Sequence, residues 1–171
     1  KYEGSACSVF GRAGFASVTA TNTSIAVDGS GTPYLVYSDG GHSNRASVKK
    51  YNGSSWVTVG SLGFSSGTAT YTSIAIDAGG TPYVVYRDAG HSNQATVMCY
   101  DGSSWSVYGS SGFSSGSATY TSIAIDPLGL PVVGLQDAGV SGNAVAMKAG
   151  PVAVSPTTPS VSASVNPVNC G

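Results

Sequence analysis

The sequence has 171 residues, enough for one ordinary domain, and only 9% of them are charged, with a formal net charge of −1 at pH 7. Average soluble proteins carry about 25% charged residues, so the surface must consist largely of hydroxyls, amides and the backbone of 24 glycines. This charge pattern excludes the extended basic surface of a nucleic-acid-binding protein, and no apolar stretch approaches the roughly 20 residues that cross a bilayer.

The first residue and the cysteines bear on the compartment. The sequence begins with Lys1 rather than Met, so we expect that a secretory signal has been removed and that the protein is extracellular or lies on the cell surface. Three cysteines, Cys7, Cys99 and Cys170, do not make a disulfide framework. They allow at most one bridge, and the odd cysteine could join two chains.

A period of 49 residues organises most of the chain. Trp56 and Trp105 are 49 residues apart, and the same spacing separates three phenylalanines and three aspartates. Three rows then align without a gap: 2–50, 51–99 and 100–148. Such a period is typical of a repeat architecture, in which one supersecondary unit is copied because it cannot bury its own apolar face.

Each unit predicts four short strands. Between residues 71 and 109 they are, in chain order, "YTSIAID", "TPYVVY", "ATVMCY" and "SWSVYG", which alternate small polar with aliphatic residues or are rich in β-branched and aromatic residues. The segments between them, "DAGGTP", "RDAGHSNQ" and "DGSS", are typical turn sequences. No segment has a sustained helical period, so the sequence predicts an all-β chain of three tandem four-stranded repeats.

The combination of "SIAID", "GTPYVVY" and "ATVMCYDGSSW" resembles bacterial extracellular β-propeller repeats that are similar in style to the NHL group. The resemblance covers residues 2 to 148 and implies that each unit is a propeller blade of four antiparallel strands. A β-trefoil, which also has three units of four strands, is the alternative fold. A shared fold does not by itself assign a function.

The phase of the repeat predicts assembly between chains. The chain opens with "YEGSACSVFG", a fourth strand without the first three, and its last unit ends after a third strand. Propellers have 4 to 8 blades, more than the three units of one chain. We therefore expect a domain at 1–150 whose N-terminal strand pairs with another chain. This strand exchange either closes a ring of six blades from two chains or continues from chain to chain as a filament. The segment 151–171, rich in Pro, Ser, Thr and Val, is predicted to be extended and to dock on its own or a neighbouring subunit.

The predicted assembly residues lie at both ends of the chain. In the last unit the strand "TPYVVY" becomes "LPVVGL", and the smaller side chains leave room for a tail. The predicted assembly residues are Ser5, Ala6, Cys7, Ser8, Val9, Phe10, Val132, Gly134, Leu135, Val161 and Val165.

The acidic residues and the histidines favour a structural role over catalysis. Every carboxylate occupies a repeated turn position, whereas a catalytic pair is normally unique because its neighbours must separate two pKa values. No nucleophile motif, metal-ligand spacing or cofactor motif is present, so we expect neither an enzyme nor a bound metal or cofactor. A shallow ligand site remains open at two corresponding turns: Asp39, His42 and Asn44, and Asp88, His91 and Asn93.

The repeated tryptophans admit two interpretations. Trp56 and Trp105 either anchor each unit on the next or stack on sugars, and the anchoring role is favoured. Two sequons, at Asn22 and Asn52, are candidate N-glycosylation sites.

These observations predict a non-enzymatic, secreted structural protein that assembles with copies of itself, by strand exchange, into an extracellular fibre or surface polymer. The alternative is a binding module: a lectin, either a dimeric six-bladed propeller or a trefoil, whose repeated aromatic residues and turns hold glycans. In either case the sequence predicts no nucleic-acid partner and no membrane insertion.

Overall fold

The computed structural model describes residues 8, 9, 11–16 and 18–148. The predicted opening strand therefore lies mostly outside the described residues, and the predicted tail lies wholly outside them. Over the described residues the chain is all-β, as the alternation predicted, and its only helices are three short 3-10 turns. None of these elements is a helix long and apolar enough to cross a membrane.

The strands form three antiparallel sheets. The first sheet contains β1 (Ala20–Val27), β2 (Pro33–Asp39), β3 (Arg45–Tyr51) and β4 (Trp56–Thr58). The second contains β5 (Ala69–Ile76), β6 (Pro82–Asp88), β7 (Gln94–Tyr100) and β8 (Trp105–Val107). The third contains β9 (Ala118–Ile125), β10 (Pro131–Asp137) and β11 (Asn143–Lys148). The 3-10 helices follow the second strand of each sheet, at Gly40–His42, Ala89–His91 and Ala138–Val140.

The four segments predicted between residues 71 and 109 match the four strands of the second sheet, with boundaries that differ by up to two residues. In β6 the consecutive valines Val84 and Val85 are both fully buried. Successive side chains of a strand point to opposite faces, so Val84 packs towards the first sheet and Val85 towards the third. A β-branched run is therefore buried on both sides because this sheet lies between two others.

Two hydrophobic clusters fill the spaces between consecutive sheets. The first cluster joins the first and second sheets and contains, among others, Tyr34, Val36, Val48, Ile74, Val84, Tyr86 and Met98. The second cluster joins the second and third sheets and contains, among others, Tyr83, Val85, Val97, Ile123, Val133 and Leu135. The sheets thus pack face to face in the order of the chain.

The first strands of the three sheets contact one another through a repeated bulge. Asn22, Tyr71 and Tyr120 have φ values of 49°, 52° and 51°, in the left-handed region that bulky residues rarely adopt. The Tyr71 amide donates to the Asn22 Oδ1 at 2.9 Å, and the Thr121 hydroxyl donates to the Tyr71 carbonyl. The unusual backbone is therefore compensated by hydrogen bonds between neighbouring sheets.

The predicted assembly residues that the structure describes do not share one surface. Ser8 and Val9 are exposed. Val132 and Gly134 are half-buried, whereas Leu135 is 4% exposed and packs in the second cluster. Leu135 thus contacts the second sheet, on the face opposite Val132 and Gly134. The remaining predicted assembly residues, 5–7, 10, 161 and 165, lie outside the described part of the chain, so the docking of the tail stays a prediction.

Candidate functional site

The structure brings together the first pair of predicted turn ligands, Asp39 and His42, but around a buried carboxylate. Asp39 is 1% exposed, and its carboxylate accepts hydrogen bonds from the Gly41 amide at 3.0 Å and the Ser47 hydroxyl at 2.8 Å. His42 Nδ1 lies 3.0 Å from Asp39 Oδ2. Asn44 contributes its backbone, since its carbonyl accepts from the Ala69 amide of β5. This turn therefore links two sheets.

The corresponding Asp88 has more partners. Its carboxylate accepts from the Gly90 amide at 2.9 Å, from the Ser66 hydroxyl at 2.8 and 2.9 Å and from the Thr96 hydroxyl at 3.2 Å. His91 Nδ1 lies 2.8 Å from Asp88 Oδ2. Ser66 belongs to the connection between the first and second sheets, so the buried carboxylate fastens that connection to β6. Asn93 again acts through its carbonyl, which accepts from the amide of Ala118 in β9.

The contact between Ser66, His91 and Asp88 differs from a catalytic triad. In a triad the base uses one ring nitrogen for the serine and the other for the aspartate. Here the Ser66 hydroxyl and the Asp88 carboxylate both lie near the same Nδ1 atom of His91, at 3.2 and 2.8 Å. This arrangement supports the turn and provides no base for the hydroxyl.

In the third sheet backbone donors supply most of the hydrogen bonds that hold the connection. Asp137 accepts from the amides of Ser115, Gly116 and Gly139 at 2.8 to 2.9 Å. Desolvation by burial raises the pKa of Asp137, but the three N–H donors and the Ser115 side chain together outweigh it, so the pKa of this carboxyl lies below its ordinary value of 3.8. Beside the corresponding carboxylate Asp39, burial and the negative charge raise the pKa of Tyr37 to about 12.

Both predicted tryptophans lie in clusters of three aromatic rings. Trp105 stacks on Phe64 with ring centroids 4.2 Å apart, and Tyr100 packs against it at 5.4 Å. The Trp105 indole N–H donates to the Val59 carbonyl at 2.9 Å. Because Phe64 and Val59 lie on the connection that follows the first sheet, Trp105 anchors the second sheet to it, which is the favoured interpretation for this residue.

Trp56 lies in a cluster of the same form but beside a cavity. Phe15 stacks on Trp56 with centroids 4.4 Å apart, and Tyr51 packs against it at 5.8 Å. A cavity of about 560 Å³ opens next to this stack, a size within the range of small-molecule sites. Its described lining consists of Arg12, Gly14, Phe15, Ala16, Ser54, Ser55 and Trp56.

Arg12 distinguishes this cavity from the second aromatic cluster. The residues 49 and 98 positions further along the chain are Ser61 and Ser110, so the guanidinium occurs in one of the three units. No motif in the sequence points to Arg12, Phe15, Ser54 or Ser55 as a site. The available signal was the break in an otherwise hydroxyl-rich column.

Two smaller grooves lie at corresponding places in the first and second sheets, between the turn that joins the first two strands and the turn that joins the last two. The groove of the first sheet has a volume of about 360 Å³ and includes Lys50 and Tyr51. The groove of the second sheet has a volume of about 210 Å³ and includes Tyr100 and Asp101. Backbone and side-chain hydrogen bonds from Ser104 and Ser103 lower the pKa of Asp101 to about 2, so this groove is acidic where the other is basic.

The two predicted sequons differ in their surroundings. The Asn52 side-chain oxygen Oδ1 accepts from the backbone amides of Ser54 and Ser55 at 3.1 and 2.9 Å in an exposed turn. The Asn22 side chain accepts from β5 and donates to the Thr21 hydroxyl at 3.2 Å. Asn22 thus takes part in the contact between sheets, whereas the Asn52 side chain reaches only its own turn.

The described residues include no group of three or more His, Cys, Asp or Glu side chains that could hold a metal ion. Cys99 is disulfide-bonded, and the two other cysteines of the sequence, Cys7 and Cys170, lie outside the described residues.

Comparison with known proteins yields structural neighbours alone. No protein-family model matches the chain, and no curated protein matches it. A fucose lectin from Kordia zhangzhouensis, solved in complex with methyl-fucoside, is 12% identical with a TM-score of 0.48, and the match covers 74% of this chain and 90% of the lectin. An exo-β-1,3-galactanase from Clostridium thermocellum is 15% identical with a TM-score of 0.47. An α-L-arabinofuranosidase from Lactobacillus brevis is 12% identical with a TM-score of 0.41.

The two glycosidases are much longer than the matched region. The matches cover 77% of this chain in both cases, but 32% of the galactanase and 52% of the arabinofuranosidase. At these identities and TM-scores, the function of these neighbours cannot be transferred to this chain.

Proposed function

We propose that this protein is a non-enzymatic carbohydrate-binding protein that holds a glycan in the cavity beside Trp56. The observation that carries the proposal is the composition of the cavity wall, which combines a stacked aromatic pair, a guanidinium and two serine hydroxyls. A sugar ring has faces made of C–H groups and a rim of hydroxyls. The C–H hydrogens carry a small positive charge and are attracted to the negative face of an aromatic ring. The cavity offers a partner for both parts.

The polar groups have distinct capacities. Arg12 presents five N–H donors in a rigid plane, which suits two neighbouring sugar oxygens. The Ser54 hydroxyl already donates to Asn52 Oδ1 at 3.0 Å, so towards a ligand it is an acceptor. The Ser55 backbone amide also donates to Asn52, which holds the turn in place. The site therefore favours a sugar that presents two adjacent oxygens to the guanidinium.

The proposal includes an architecture and a location. Each antiparallel sheet is a propeller-type blade, since the first strands lie side by side and the sheets pack face to face in chain order. The low charge and the hydroxyl-rich composition fit a protein that works outside the cell. The strand-exchange fibre stays a prediction, because most of the residues that would exchange lie outside the described part of the chain.

The test is a glycan-array screen followed by calorimetry with the mono- or oligosaccharide that binds best. Arg12→Ala removes a charged hydrogen bond worth about 1.5–3 kcal/mol, so we expect affinity to fall by about 10- to 100-fold. Ser61→Ala, at the corresponding position beside Trp105, is the matched control and should leave affinity unchanged. A wild-type protein that binds no glycan, or an Arg12→Ala variant that binds as tightly as wild type, would refute the proposal.

A further inference from the structure

The first sheet exposes an apolar surface that the other two sheets bury. We call the side of each sheet that carries Ile25, Ile74 or Ile123 its front face. Ile74 and Ile123 are 5% and 8% exposed, whereas Ile25 is 58% exposed. Val27, on the same face of β1, is also 58% exposed. Closely similar local sequences therefore have different environments, and the first sheet lacks a cover among the described residues.

The molecule itself shows what covers a front face. The opposite side of each sheet, its back face, carries Val36 in the first sheet, Val85 in the second and Gly134 in the third. Val36 packs in the cluster with Ile74, and Val85 packs in the cluster with Ile123. Each buried front face thus lies on the back face of the preceding sheet. The equivalent cover for Ile25 would be one more back face.

On the first front face, the row of residues that begins at Ile25 becomes polar at the outer strands, β3 and β4. Cross-strand pairing places Ile25 opposite Leu35, Leu35 opposite Lys49, and Lys49 opposite Thr58. The corresponding row of the second sheet ends in Met98 and Val107. In this row the apolar side chains of the first front face are therefore confined to β1 and β2. The Trp56 cavity lies beyond it, at β4.

The third sheet offers a back face of matching width. Among the described residues it has three strands and no counterpart of β4 or β8. Its back face pairs Gly134 with Ala146 and Val132 with Lys148, and Lys148 forms an ion pair with Asp126 at 2.5 Å. This surface has small, uncharged residues at its centre and a charged residue at its outer edge, and the first front face likewise has Lys49 at its outer side.

We propose that the front face of the first sheet packs on the back face of the third sheet of a second copy of this chain. The contact repeats the interface that already joins consecutive sheets, so it is continuous with the internal packing. It joins unlike surfaces, and such heterologous contacts generate closed rings or open chains of subunits. A three-stranded partner covers β1 to β3 and leaves the Trp56 cavity open.

The test uses one substitution on each surface and the full chain, with mass measured by light scattering and sedimentation. Ile25→Asp places a charge in the apolar patch. Gly134→Arg fills the other surface, and a Cβ at Gly134 meets no atom within 4 Å in the subunit itself. We expect wild type to associate and each variant to be monomeric. Leu128→Asp, in an exposed turn where Leu128 is 79% exposed, is the control and should associate as wild type does.

Mixing the two variants separates the proposed contact from any other. Each variant retains the surface that the other has lost, so an equimolar mixture should form dimers and nothing larger. A monomeric wild type, association of Gly134→Arg at the wild-type level, or a mixture that stays monomeric would each overturn the proposal. Circular dichroism checks that both variants are folded. None of these outcomes depends on whether the Trp56 cavity binds a sugar.

Discussion

At the scale of single residues, the repeated aspartates are the main polar contacts between sheets and connections. Asp88 is fully buried, and the side chains of Ser66 and Thr96 direct their hydroxyls at it. A buried charge is tolerated when hydrogen bonds replace water around it. The same residues that resemble a ligand site in the sequence are therefore occupied by the protein itself.

We predict that Asp88→Ala is strongly destabilising. The substitution leaves the donors of Ser66, Gly90 and Thr96 without their acceptor, and each buried unsatisfied group costs about 1–3 kcal/mol. We expect the free energy of unfolding in urea to fall by at least about 2 kcal/mol. Asp101→Ala, in an exposed turn, should change it by less than about 1 kcal/mol. Equal losses in the two variants would contradict this role.

The pH dependence of stability follows from Asp137. Its pKa is lower in the folded protein than the ordinary value of 3.8. Its contribution is therefore complete above that value and is lost as the pH falls through the lower folded-state pKa. In urea unfolding at a series of pH values, Asp137→Asn should lose less stability than wild type between pH 5 and strong acid. Parallel pH profiles would show that Asp137 is not the group concerned.

At the scale of elements, the connection between the first and second sheets packs closely against the aromatic cluster of the second sheet. Gly60 has a φ of +68°, and a Cβ there would lie 2.8 Å from the Trp105 ring. Gly109 is its counterpart after the second sheet, has a φ of +81°, and a Cβ there meets nothing within 4 Å. The difference arises because the third sheet has no described fourth strand to carry a tryptophan.

This pair of glycines gives a matched test of the anchor. Both Gly60→Ala and Gly109→Ala impose the left-handed backbone on alanine, at a cost of about 1–2 kcal/mol. Gly60→Ala also forces the packed Trp105 ring to shift, which adds about 1–3 kcal/mol. We expect Gly60→Ala to have the lower midpoint in thermal or urea unfolding. Identical midpoints would mean that Trp105 can move without cost.

At the scale of the whole molecule, the proposed glycan cavity and the proposed contact between copies lie on the same side of the first sheet without overlapping. The cavity is at the outer strand, next to Trp56, and the apolar patch is at the inner strands, around Ile25. A subunit that associates through the patch keeps its cavity open. Association would then multiply glycan sites on one particle.

Affinity and avidity should respond separately to Ile25→Asp. The variant retains Arg12 and the aromatic stack, so its affinity for a free saccharide should stay within about threefold of wild type. On a dense glycan surface, loss of linked sites should weaken binding by about 100-fold or more. Calorimetry and surface plasmon resonance on the same samples measure the two quantities. An unchanged surface affinity would show that association does not contribute to binding.

Much of the fold could be predicted from the sequence because its signals are local. The period-2 alternation of "TSIAI" places β5 and β9, and Asp and Gly in the turns mark where the chain reverses. Trp105 could be assigned an anchoring role because it recurs at a fixed offset. The hydrogen bond from its indole N–H to the Val59 carbonyl joins residues 46 positions apart, so no local sequence pattern predicts it.

The sequence by itself determined that the chain is all-β, where its strands lie and which side chains alternate, since these depend on neighbours a few residues away. Only the tertiary structure decided that Arg12 lies beside the Phe15 and Trp56 stack, because those residues meet through the packing of distant segments. It also decided that Ile25 is exposed while Ile74 is buried. Burial depends on whether another sheet lies on that face, and the residues around each isoleucine do not encode it.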